Sequence, residues 1–155
     1  MENYFQLRMY FFAPFHLSGI QQGIQAGHAA MEYALKYGDD PRFLDFIKNH
    51  KTWIILNGGN STKDFMLSGE LGSMNQIEKT LYENHLKFAS FREPDLGETL
   101  TAICFICDER VFDFENYPDL VDAQFVSEFY DDWVKYVGGN ENVVLKQLIF
   151  GRHLA

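Results

Sequence analysis

The chain has 155 residues, of which 46% are hydrophobic and 16% aromatic, with 15 Phe, so it is long and apolar enough to fold as one domain and is not a disordered segment. Its formal charge of −9 opposes nonspecific binding to nucleic acid, which depends on Lys and Arg neutralising phosphates, and leaves room only for a local basic groove. No apolar run approaches the roughly 18 residues of a membrane span, and MENYFQLRMYFF lacks the basic start of a signal peptide, so the expected location is the cytoplasm with no membrane partner.

Gln6 to Phe12 alternates and predicts a first strand, ended by Pro14. A helix follows over 18–36, with Ser18 as N-cap and Gly38 placed for a left-handed C-terminal residue. Gly19, Gly23, Gly27, Ala30 and Ala34 recur at spacings of three and four, so they share a face. Glycine costs a helix up to about 1 kcal/mol per site, so this small stripe is expected to be the face packed against the sheet. Gln21, Gln25, His28 and Glu32 form a second, polar stripe.

Asp40 and Pro41 open a shorter helix with Phe43, Leu44 and Ile47 as its apolar side. Thr52 to Leu56 reads as a second strand, apolar enough to be central, and Asn57 to Asn60 as a turn. Residues 61–72 fit either a short extended excursion or a loop. Ser73 and Gln76 match a capping box, and a helix runs from there to about Asn84. Phe88 to Arg92 and Leu100 to Cys107 are the third and fourth strands, joined by a loop at Glu93–Gly97. Cys104 and Cys107 lie three apart on a strand, hence on opposite faces, and read as buried free thiols. Beyond Asp108 the chain turns acidic and aromatic, with a loop at Pro118, a helix ending near Gly138, and a last helix with Asn140 as its candidate cap and Val144, Leu145, Leu148 and Ile149 on its apolar side.

This order predicts an α/β three-layer sandwich with a mixed four-stranded sheet and a C-terminal helical extension. One domain is expected over 1–155, with a core at 5–108 and an acidic-aromatic tail at 109–155 packed on it.

Gln25-Ala26-Gly27-His28-Ala29-Ala30 resembles the Q-x-x-H-A-A signature of the type 2 peptidyl-tRNA hydrolase family. Asp95-Leu96-Gly97-Glu98-Thr99 resembles that family's D-x-G-x-T loop, and Thr101 its threonine near the start of the last strand. The resemblance covers about residues 5–108. It implies the same sandwich, hydrolysis of the ester between peptide and tRNA, and a homodimer. Tailed chains of this kind occur among phage-encoded relatives, which implies a viral source. One position departs from the family: the lysine four residues before the signature Gln is Gln21 here, as in a divergent lysine-less branch.

On this reading Asp95, Thr101 and Gln21 form the catalytic set, and Ser18, Gly19, Gln25 and His28 bind substrate. Asp95 either activates water or caps a turn. Thr101 either holds substrate or water or bonds backbone, and His28 either binds or packs. Gln25 is placed to orient the loop carrying Asp95. Ser18 and Gly19 open a helix, where amides can hold a phosphate or carboxylate. The five His are scattered without metal spacing, and no cofactor is expected. The alternative is a non-catalytic binding module of the same fold, taking a tRNA end, a nucleotide-like ligand or a protein.

Overall fold

A computed structural model of the protein describes residues 5–62, 71–119 and 129–155. The elements run β1 (Leu7–Pro14), α1 (Gly19–Tyr37), α2 (Pro41–Asp45) extended by a π turn at Phe46–His50, β2 (Trp53–Gly59), α3 (Ser73–Glu83), β3 (Ala89–Glu93), a 3-10 turn at Pro94–Leu96, and β4 (Thr99–Asp108). Among the described residues three further helices follow, α4 (Glu109–Phe112), α5 (Tyr130–Tyr136) and α6 (Asn140–Ile149).

The four strands form one mixed sheet in the order β2-β1-β4-β3. β1 and β2 are parallel, pairing Met9 with Trp53, as the long α1–α2 crossover between them allows. β4 is antiparallel to both β1 and β3. Alternation then sorts the side chains into two cores. Met9, Phe11, Ala102, Cys104 and Ile106 face α1 and α2, where Ala26, Ala29, Tyr33, Phe43 and Phe46 meet them. Phe12, Ile103, Phe105 and Cys107 face the other way, onto Met74, Ile77 and Leu81 of α3, Val111 of α4, and Leu145 and Ile149 of α6. The result is a three-layer α/β sandwich, with Cys104 and Cys107 buried as free thiols in opposite cores.

The tail is fastened by a buried cation. Lys146 on α6 is fully buried, donates from Nζ to the Val111 and Tyr117 carbonyls, and lies 4.3 Å from the centre of the Phe114 ring. Burial pulls its pKa down to about 8.

Several local features differ from the expectations. β2 is an edge strand, not a central one, and Trp53 stays partly exposed. Its apolar run is explained by burial on both faces, Ile54 and Leu56 toward the α3 and α6 core and Ile55 toward α1, while the C-terminal residues pair with its open backbone edge: Asn57 N donates to the His153 carbonyl and Ala155 N to the Ile55 carbonyl, both at 2.9 Å. The expected turn at Asn57–Asn60 is strand as far as Gly59. A Cβ at Gly58 would lie 2.2 Å from Met74 Sδ, and Gly59 has φ +85°, so both glycines serve the close approach of β2 to α3. Ser73 is the first helical residue rather than the cap. Its hydroxyl instead bonds the Gly58 carbonyl and the Asn60 amide, which ties the helix start to β2. Gly139, not Asn140, is the cap of α6.

Gly38 is right-handed, because the Asp40 amide bonds the Tyr37 carbonyl and leads straight into α2. Within α2 and its π turn, Phe43 and Phe46 are buried while Ile47 is exposed, since the π turn rotates the face. Only the alanine end of the small stripe of α1 packs inward: Ala30 and Ala34 lie partly buried against the α1-side core, and the glycines do not. A Cβ at Gly19, Gly23 or Gly27 would meet nothing within 4 Å. The sheet-facing residues are instead Gln22, Gln25, Ala26, Ala29 and Tyr33. The helix expected to end near Gly138 is present as α5, which stops at Tyr136 with Val137 as its cap, while most of the stretch at 61–72 and the start of the segment after Pro118 lie outside the described residues.

Candidate functional site

Helix α1 begins as its sequence dictates: the Ser18 hydroxyl accepts the Gln21 amide at 3.2 Å. One turn on, Gln22 Nε2 donates to the Pro14 carbonyl at 3.2 Å and holds the helix start to the end of β1. The next residue on this face, Gln25, is 3% exposed, so its amide must find partners inside the protein. It finds two. Gln25 Oε1 accepts the Thr101 hydroxyl at 2.5 Å, and Gln25 Nε2 donates to Glu93 Oε2 at 3.0 Å.

Thr101 reaches Gln25 because of an irregularity in the sheet. Phe91 pairs with Ala102 and Arg92 with Leu100, so Thr101 is passed over. Such a bulge re-aims a side chain. Leu100 accordingly joins the α3 core while Thr101 turns to α1, buried and bonded to Gln25.

Glu93 ends β3 and caps the following 3-10 turn, its Oε1 accepting the Asp95 amide at 3.3 Å. Thr99 closes the other end of the turn by donating to the Leu96 carbonyl at 2.6 Å. The Gln25 hydrogen bond holds the Glu93 pKa below the usual range, aided by the Asp95 amide and by the nearby His28. Glu93 is therefore an ionised acceptor at neutral pH. His28 is exposed and stacks on Phe91, with centroids 4.5 Å apart and planes at 22°.

Of the residues singled out in the sequence, Gln25 and Thr101 are bonded to each other, and His28 lies beside them. Asp95 is exposed one residue beyond Pro94, at the rim of the same cluster. Ser18, Gly19 and Gln21 are exposed along the first turn of α1, one turn before Gln25. Glu93 was missed as a functional residue. The signal was present: an acid directly before Pro94-Asp95 is a cap placed before a proline at the first helical position.

The arrangement can do two things. An ionised carboxylate and an exposed aspartate stand where a water or a cationic group could be bound, and a buried amide fixes their loop. Among the described residues no group of three or more His, Cys, Asp or Glu is placed to hold a metal ion, and no helix is long and apolar enough to cross a membrane. No protein-family model matches the chain, and no curated protein shows significant similarity to it.

Proposed function

We propose that this chain is a divergent peptidyl-tRNA hydrolase-like protein, cytoplasmic and homodimeric, that cleaves the ester between peptide and tRNA. The observation that carries the reading is the Gln25 amide bonded at once to Thr101 and Glu93. It joins the residues of the helix signature, the last-strand threonine and the loop after β3 into one cluster. Asp95, on that loop, takes a proton from water as the water oxygen bonds to the ester carbonyl carbon. The carbonyl C–O bond to the ribose oxygen then breaks, and the proton passes from Asp95 to that oxygen. Gln21 donates a hydrogen bond to the developing oxyanion in place of a cation, and His28 offers its ring to the substrate. Ser18 and Gly19 present the helix start to a phosphate.

The uncharged Gln21 and the net charge of −9 favour a second reading, a non-catalytic binding module of the same fold for a nucleotide, a tRNA end or a protein partner. Release of free tRNA from a peptidyl-tRNA mimic separates the two. The hydrolase reading expects turnover by the parent, a fall of about a hundredfold or more in Asp95→Asn, and a gain in Gln21→Lys. Equal release by the parent and Asp95→Asn contradicts it. Binding without turnover in the parent and in Gln21→Lys establishes the module.

A further inference from the structure

Helix α1 turns its large apolar side chains outward. Ile20, Ile24, Met31 and Leu35 are 79%, 49%, 71% and 81% exposed, and their spacing puts them on one stripe. Glycines border the stripe at Gly23 and Gly27, where an added Cβ would meet nothing within 4 Å. A second backbone can therefore come close.

The stripe is its own mirror image. Its centre lies between Gly27 and His28. Ile20 and Leu35 stand equally far from that point, as do Ile24 and Met31. A two-fold axis through it sets a second α1 antiparallel to the first. Ile20 then meets the partner's Leu35, and Ile24 meets the partner's Met31. A self-complementary patch is what a two-fold dimer requires. From these observations we infer that α1 is the dimer interface of this protein and that its occupant is an antiparallel α1 of a second copy.

Charge and area agree with a second copy. The protein carries −9 overall, yet α1 holds one acid, Glu32, and one base, Lys36, so two like-charged molecules meet through a neutral strip. An anionic lipid surface is a poor alternative, because such helices present rows of Lys and Arg and this one has a single Lys. At 1.5 Å per residue the helix is roughly 28 Å long. A specific interface clears about 1,000 Å² in total, so two such helices packed along the whole stripe fall at the low end of that range. The inference specifies the homodimer of the proposed function and is independent of the ester chemistry, since mass is measured without substrate.

Sedimentation equilibrium of the full chain, from low micromolar to submillimolar concentration, tests it. The expected result is a shift from one chain mass to two. Ile24→Glu should weaken association by about a hundredfold or more, since each dimer loses two buried isoleucines. Circular dichroism matching the parent checks that the variant is folded. Mixing Ile24→Cys with Met31→Cys protein under mild oxidation should give mainly the mixed cross-link. A single chain mass throughout, an unchanged mass in folded Ile24→Glu, or a dominant 24-to-24 cross-link would each overturn the inference. A dimer that forms without any hydrolysis leaves it standing and removes only the enzymatic reading.

Discussion

The two faces of α1 reverse the usual rule for a surface helix. The side against the sheet carries two glutamines, Gln22 and Gln25, among Ala26, Ala29 and Tyr33. The side toward solvent carries Ile20, Ile24, Met31 and Leu35. The buried face combines apolar packing by Ala26, Ala29 and Tyr33 with two amides that make attachments, one to the end of β1 and one to the loop after β3. Among the described residues, the outer face keeps Ile20, Ile24, Met31 and Leu35 exposed to solvent. Burial on the inner side is thus spent on positioning, and hydrophobicity on the outer side is left for association.

The largest break in this comparison comes from adding volume to each face in turn. Ala29 has no exposed surface, and Cys104 Sγ lies 3.4 Å from its carbonyl oxygen. Ala29→Leu should cost about 3 kcal/mol by overpacking. Gly27→Leu, on the other face, should leave the monomer unharmed or stabilise it by up to about 0.8 kcal/mol through helix propensity. Urea melts of the two variants at a concentration too low for association decide this, and a reversed order would mean that the faces are misassigned.

A smaller loss is expected from Gln25→Leu. The Thr101 hydroxyl would keep only the Phe91 carbonyl at 3.4 Å as an acceptor, and Glu93 would lose a donor. A cost of about 1–2 kcal/mol follows from leaving a buried hydroxyl poorly paired. Thermal melts of Gln25→Leu and Thr101→Val, alone and combined, should show less than additive losses, as for two residues sharing one bond.

The smallest effect is on pH dependence. The Glu93 pKa is depressed in the folded state, so its contribution is fully present above the ordinary glutamate value of about 4.3 and is lost as pH falls from there through the depressed value. The parent should therefore lose more stability than Glu93→Gln on going from neutral pH to below about 4, measured by urea midpoints across that range. Parallel curves would mean that Glu93 makes no special bond.

Much of the architecture was legible because it follows periodicity and caps. The four strands, Ser18, Asp40 and the opposite faces of Cys104 and Cys107 are local consequences of sequence. The face of α1 was not, because small residues line both its inner side, at Ala26 and Ala29, and its outer side, at Gly23 and Gly27. Gly19, Gly23 and Gln25 are all compatible with either side until the sheet is in place. The edge position of β2 was hidden too, since its apolar side chains fill cores on both faces as a central strand's would, and its open edge is paired by backbone about a hundred residues away. In the candidate site, Gln25 and Thr101 could be found by spacing, but their contact depends on a bulge in β4 that no local pattern announces. Glu93 is masked in the sequence by Asp95, two residues on, which fits the D-x-G-x-T spacing.

The claim on which the rest depends is that Gln25 ties α1 to the loop holding Glu93 and Asp95. An NMR titration of the Glu93 side-chain carboxyl in the parent and in Gln25→Leu tests it most directly. The Glu93 pKa should lie below the usual glutamate range in the parent and return toward that range in Gln25→Leu. An ordinary Glu93 pKa in the parent, or a depressed one that survives the loss of Gln25, would contradict it.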